Sequence, residues 1–259
     1  MSTQQKKQPV DQDQVMNFFN PVFWGVKDPE YFTGLMKLAA QQTTAYHFGD
    51  NMFLFQRNNS MLNDRPFRKS WEENAISPSD RTIVWRRYIL AMAGFHCQHL
   101  EGDFVECGAY QGVGAKTVLD YLGGPNFSKT FWLYDLFEYK EGMAHHSMPG
   151  HGAHLYDEVV ARFARYPNVK IFKGELPAIL KQGSPDRIAY LHLDLNQAPA
   201  EIATLEALFE RVVPGGMIIL DDYEMLFYRA QKLAEDKWFG KRGYKVFPLP
   251  TSQGFVIKR

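Results

Sequence analysis

The 259-residue chain carries 29 Lys and Arg against 29 Asp and Glu, a formal net charge of +0. That balance excludes a nucleic-acid binder working through a broad basic field and an acidic solvating chain, while 45% hydrophobic and 15% aromatic residues supply ample material for a core. Cys97 and Cys107 are too few for a disulfide scaffold or a cysteine-based zinc site, no apolar run reaches membrane-span length, and the polar start MSTQQKKQPVDQDQ lacks the apolar core of a secretory signal, so a cytoplasmic protein with no membrane partner is expected.

In chain order, residues 1–15 read as a disordered tail. Residues 16–76 read as a helical or lid region, with a short helix around 28–42. Its dense aromatics (Phe18, Phe19, Phe23, Trp24, Tyr31, Phe32, Tyr46, Phe48, Phe53, Phe55) predict core packing or a homodimer contact, or a lid over a substrate pocket. The turn-rich stretch from Asn58 to Pro66 is the sort of loop that orders over a ligand. At Ser77-Pro78-Ser79-Asp80 a helix start is written, with Ser77 ahead of Pro78, or Ser79, as its cap. Ile83, Val84, Tyr88, Ile89, Met92 and Phe95 follow at helical spacing and predict a core-facing helix to about His99.

From there the pattern alternates. Apolar strands are expected at 103–107, 130–135, 169–174, 187–194 and 216–222, with helices near 112–122, 154–165, 176–181, 198–211 and 224–237. The runs at 244–250 and 254–259 are separated only by Thr-Ser-Gln, too short for a crossover, so they form an antiparallel hairpin. Residues 77–259 thus predict an α/β fold: a doubly wound, Rossmann-like, seven-stranded sheet, mostly parallel, with a C-terminal antiparallel hairpin.

Ligands bind such sheets at the carboxyl ends of the strands. The first strand runs into Gly108-Ala109-Tyr110-Gln111-Gly112-Val113-Gly114, a tight turn spaced G-x-x-x-G-x-G rather than G-x-G-x-x-G. The second ends in Asp135, where a carboxylate can accept two hydrogen bonds from a ribose diol; together they point to an adenosine-type cofactor. Asp194, Asp221 and Asp222 end the fourth and fifth strands. Oxygen-only ligands suit a hard divalent ion, Mg²⁺ or else Ca²⁺ or Mn²⁺; the alternative makes Asp221 a helix cap and Asp194 a solvated strand end.

Five stretches carry a resemblance: SPSDRTIVWRRYIL with GDFVECGAYQGVGA, YDLFEY, RIAYLHLDLN, LEALFERVVPGGMIILDDYE and LPTSQGFVIK. Residues 77–259 resemble class I S-adenosylmethionine-dependent methyltransferases, and more narrowly the macrocin O-methyltransferase family, which methylates sugar hydroxyls on antibiotics. The resemblance implies that Glu106, Gly108, Tyr110 and Gly112 line the methionine and sugar side of the cofactor, that Asp135 holds the ribose hydroxyls, and that Gly174 and Glu175 lie near the adenine. It places Asp194, Asp221 and Asp222 on the family's metal ligands. Where the family usually reads D-x-D, this chain has Asp194-Leu195-Asn196, and an amide cannot take the acceptor's proton. Three routes are then open for the proton: a metal-bound hydroxyl that ionises to solvent comes first, a histidine of the loop holding His145, His146, His151 and His154 (His145 or His146 first) second, and Asp194 leaving or sharing the metal is the third; a metal site among these histidines is the other reading of that loop. His192 reads as structural and Cys107 as a small apolar filler. The expected reaction is metal-assisted O-methylation of a small sugar or natural-product acceptor. The alternatives are a nicotinamide-dependent oxidoreductase and a non-catalytic S-adenosylmethionine-binding relative.

Overall fold

In the computed structural model, which describes residues 16–143 and 147–259, the N-terminal region holds a small sheet where the sequence pattern predicts short helices. The expected tail, and with it His145 and His146, lies outside the described residues. β1 (Phe18–Phe19) pairs in parallel with β2 (Tyr46–Gly49), which pairs antiparallel with β3 (Met52–Phe55). Between β1 and β2 runs α1 (Pro29–Ala40), at the expected place, its start capped by Asp28, which accepts the Tyr31 N–H at 2.9 Å. The hairpin turns on Asp50 and Asn51, with φ of 51° and 55°; two successive left-handed residues make the tight turn that suits strand twist, and Asp and Asn tolerate it. Strands of two to four residues are too short for alternation to stand out from the aromatic background. α2 (Ser60–Asn63) and α3 (Arg65–Asn74) follow, and Met61, Leu62, Phe67 and Trp71 pack with Val84 and Ala91 into a cluster of their own.

α4 (Val84–Cys97) starts later than the Ser-Pro-Ser motif predicts. That motif leads only into a 3₁₀ turn at Ser79–Arg81, closed by Asp80 Oδ2 accepting the Ser77 N–H at 2.8 Å. The start of α4 is capped from a distance: Asp50 in the hairpin turn accepts the Trp85 N–H at 3.0 Å and the Arg86 N–H at 2.8 Å. The buried stripe of α4 includes Arg86, Leu90, Ala93 and Cys97, while Phe95, expected on the core side, is exposed.

The main sheet is built from β4 (Asp103–Cys107), β5 (Phe131–Asp135), β6 (Val169–Lys173), β7 (Ile188–Leu193), β8 (Val212–Leu220), β9 (Phe247–Pro248) and β10 (Gly254–Ile257). Its helices are α5 (Val113–Tyr121), α6 (Leu155–Arg162), α7 (Ala198–Leu208) and α8 (Arg229–Lys241). The strand order is β6-β5-β4-β7-β8-β10-β9, with β10 antiparallel to both of its neighbours. This is the expected seven-stranded, mostly parallel sheet. β10 takes the inner place beside β8, and the proline-bearing β9 is left at the edge, where a missing N–H costs least. Both faces are covered. Val105, Trp132, Tyr134 and Leu191 pack toward Leu205 and Leu208 of α7 and Phe239 of α8. Phe104, Phe131, Leu133 and Tyr190 pack toward Leu90 of α4 and Val118 and Leu119 of α5. Strand order reverses between β4 and β7, and the cleft opens above that point. Among the described residues no helix is long and apolar enough to cross a membrane.

Glu201 of α7 and Glu235 of α8 are fully buried. Burial lifts the Glu235 carboxyl to about 8; burial and the charge of Glu235 also push Glu201 up. Such a group is neutral in the fold but ionises near its ordinary value once the chain unfolds. Its contribution to stability is whole at low pH and is lost as pH rises toward 8. Glu235→Gln keeps the shape and removes the titration. Denaturant unfolding at about pH 5 and about pH 8 should show the variant gaining on the wild type at the higher pH, by on the order of a few kcal/mol. Parallel pH dependences in the two proteins would refute this.

Candidate active site

A cavity of about 560 Å³ lies at the carboxyl ends of β4, β5 and β7, with Gly108, Tyr110, Asp135, Gly174, Glu175 and Asp194 on its wall. Gly108 has φ +93°, and a Cβ there would run into the Asp194 carbonyl oxygen, so only glycine lets β4 turn this close to β7. Asp135 is oriented by the backbone: the Tyr110 N–H donates to its Oδ2 at 2.7 Å and the Phe137 N–H to its Oδ1 at 2.5 Å. In the loop after β5, Gly150 is tied to the cavity wall by its N–H donating to the Tyr110 hydroxyl at 2.6 Å, and the Met148 N–H donates to His151 Nδ1 at 3.0 Å. His151 lines the cavity, whereas His154 is exposed beside Glu158.

Two expected cofactor residues stand elsewhere. Glu106 is buried behind the wall, with Oε1 2.9 Å from His192 Nδ1. Gly112 opens α5 with φ +72° against the Phe163 ring.

Asp194 follows β7, and Asp221 and Asp222 follow β8, so the three acids share one rim. The cation among them is Arg86 of α4, whose side chain is 6% exposed. Its Nη2 lies 2.7 Å from Asp222 Oδ1 and 3.1 Å from Asp221 Oδ2, and also donates to the Asp221 carbonyl oxygen. His192 Nε2 lies 3.4 Å from Asp221 Oδ1, which also accepts from Gln253 Nε2 at 2.9 Å. Asn196, with φ 60°, donates from Nδ2 to Asp194 Oδ1 at 3.3 Å.

These contacts drive the acids apart in proton affinity. Burial alone would raise Asp221, but Arg86 and then His192 outweigh it and hold this carboxyl below the usual range. Burial raises Asp194, and the charges of Asp221 and Asp222 raise it further. Burial pulls His192 down, yet its contacts with Asp221 and Glu106 win and lift it to about 10.

Residues 87–238, more than half of the chain, match the family model described as Macrocin-O-methyltransferase (TylF). The chain belongs to the macrocin O-methyltransferase family. A relative from Streptomyces olivaceus, 8-demethyl-8-(2,3-dimethoxy-alpha-L-rhamnosyl)-tetracenomycin-C 4'-O-methyltransferase, is 29% identical over 140 residues, which are 47% of this chain and 53% of that protein. The match therefore spans about half of that relative's length. The solved structure of the O-methyltransferase NovP has a TM-score of 0.59 at 19% identity, covering 73% of this chain and 87% of NovP. That of apo CalS11, a TDP-rhamnose 3'-O-methyltransferase of calicheamicin biosynthesis, has a TM-score of 0.55 at 15% identity, covering 90% and 96%. At these identities the likeness to the two solved structures is one of fold.

Within this macrocin-type methyltransferase domain, the expected ligands of a divalent ion can be tested against the geometry. One ligand atom each of His192, Asp194 and Asp221 lie within 4.8 Å of one another, a grouping that leaves out Asp222. The contacts of His192 with Glu106 and Asp221 favour its protonated form, and that proton competes with a metal for the ring nitrogen. Arg86 already spans an oxygen of Asp221 and one of Asp222. A divalent ion beside that guanidinium would be repelled by it and would have to share the carboxylates the guanidinium already neutralises. In this arrangement the residues present do not fit a divalent ion.

Arg86 and Gln253 stand outside the candidates the sequence pattern suggests, and His192, expected to be structural, faces the rim. For Arg86 a signal was there: with Leu90, Ala93 and Cys97 it forms an i, i+4, i+7, i+11 stripe headed by a charge. His192 carries no such mark, since β7 is buried along its whole length. NMR of ¹⁵N-labelled protein should find the His192 ring doubly protonated from about pH 6 to about pH 9, and Glu106→Gln should bring its titration down into that window. A wild-type midpoint near 6.5 would contradict the arrangement.

Proposed function

We propose that the protein is an S-adenosylmethionine-dependent O-methyltransferase acting on a hydroxyl of a sugar or sugar-bearing natural product. One observation carries the reading: a single cavity runs from Asp135 at the end of β5 to Asp194 at the end of β7, across the switch in strand order. Asp135, held by two backbone N–H groups, suits a ribose diol. The close approach of Gly108 to Asp194 leaves backbone facing the methionine end, and Gly174 to Pro177 form the wall for the adenine. The acceptor class is suggested by the two relatives whose names specify methylation of a rhamnose or rhamnosyl hydroxyl.

S-adenosylmethionine supplies a methyl group bonded to a sulfonium. The acceptor oxygen bonds to that carbon as the carbon–sulfur bond breaks, the bonding pair stays on sulfur, and the hydroxyl proton leaves. Asp194 is the group on the cavity wall that takes it. Burial and the charges of Asp221 and Asp222 raise its proton affinity, and the Asn196 amide orients its Oδ1 without competing for the proton.

Mass spectrometry of the purified protein should find S-adenosylhomocysteine or S-adenosylmethionine; bound nicotinamide would overturn the reading. Asp135→Ala should weaken S-adenosylmethionine binding more than about tenfold by calorimetry, the worth of a charge-assisted pair of hydrogen bonds. With a deoxysugar acceptor panel, Asp194→Asn should lower kcat by roughly 10² or more while leaving that affinity within about twofold. Cofactor binding without methylation of any sugar would favour the non-catalytic relative instead.

A further inference from the structure

We propose that Arg86 is a built-in cation standing where a divalent ion would otherwise sit, so that the acid rim of this protein is complete without a metal. The guanidinium touches both acids that follow β8, through Asp222 Oδ1 at 2.7 Å and Asp221 Oδ2 at 3.1 Å, and it bonds the Asp221 carbonyl oxygen as well. A divalent ion bridging the rim would compete with the guanidinium for these carboxylates.

Arg86 is not a surface arginine free to swing aside. It belongs to the buried stripe of α4, and its own backbone N–H is held by Asp50 Oδ1 at 2.8 Å. Asp50 is fixed in turn by His47 Nε2 at 3.1 Å and by the tight hairpin turn. On another side the Trp24 ring lies 6.0 Å from the guanidinium carbon. Admitting an ion would leave a buried guanidinium without its carboxylates or force it out past these contacts. One guanidinium nitrogen donates its two N–H groups to Asp222 Oδ1 and the Asp221 carbonyl oxygen and lies 3.1 Å from Asp221 Oδ2, whereas a divalent ion asks for a shell of six or more oxygens.

The catalytic consequence rests on the methyl-transfer reading above. A guanidinium neutralises the rim but does not ionise a bound hydroxyl as a Lewis acid does. Proton removal then falls to a side chain, and methyl transfer proceeds in the presence of a chelator.

The test is a Mn²⁺ titration of the purified protein followed by EPR of free Mn²⁺, with Mg²⁺ calorimetry beside it. The wild type should show no saturable site tighter than roughly millimolar. Arg86→Met should acquire one at least about tenfold tighter, and Asp222→Asn added to it should abolish that site. Arg86→Lys, which keeps the charge, should stay closer to the wild type. A wild-type site of micromolar affinity that disappears in Asp222→Asn would overturn the proposal. So would a folded Arg86→Met that gains no Mn²⁺ site, because the acids would then not be a cation site that Arg86 fills. If Arg86→Met does not fold, the wild-type titration decides alone. S-adenosylmethionine affinity, measured on the same samples, judges the methyltransferase reading separately: it can stand while this proposal falls, and the reverse.

Discussion

Carboxylates crowded into a low-dielectric rim are the constraint on which the rest of this structure depends. Glu106, Asp194, Asp221 and Asp222 meet at the carboxyl ends of β4, β7 and β8; Glu106 and Asp221 are buried and Asp194 and Asp222 partly so. Like charges so placed cannot all stay ionised unless cations are built in among them. Two are supplied from different layers. His192 comes from within β7 and faces Glu106 and Asp221; Arg86 comes down from α4 and faces Asp221 and Asp222. Arg86 reaches the rim only because α4 begins where it does. That start is set by Asp50, and Asp50 is presented by the hairpin of the small N-terminal sheet. A turn far from the cleft in sequence thus helps set the charge balance inside it.

The rim and the cavity divide the labour. Around Asp135 the partners are backbone N–H groups, which orient a carboxylate without consuming its charge. Around Asp221 the partners are cations, which do consume it. Asp194 sits between, on the cavity wall but without the contacts Arg86 makes to its neighbours, and its proton affinity is raised where that of Asp221 is lowered. Neighbouring acids are thereby given different proton affinities by environment, and the ionised form of Asp194 is the stronger base of the two.

Membership in the macrocin O-methyltransferase family accounts for the sheet and the cleft. Asn196, where the resemblance leads one to expect an acid, is held left-handed against Asp194. Gly108, Tyr110, Asp135, Gly174 and Glu175 all lie on the wall of the cavity.

What the sequence determined by itself was whatever depends on local periodicity and on ends. Parallel strands buried on both faces must be apolar throughout, so β4 to β8 were legible as runs, and residues at their ends, Asp135, Asp194, Asp221 and Asp222, followed as rim candidates. A link of three residues forced the terminal hairpin. Gly108 was legible as a turn, though its reason, the carbonyl of Asp194 lying against it, was not. Only the tertiary structure decided how the charges pair. Arg86 and Asp221 are separated by 135 residues, and Asp50 and Arg86 by 36. Glu106 and Gly112 passed behind the wall, and His151 rather than His154 reached it, for the same reason. A side chain's residue type sets what it can bond, but its partner is fixed by which ends of which elements the packed core brings together, and no local spacing encodes that.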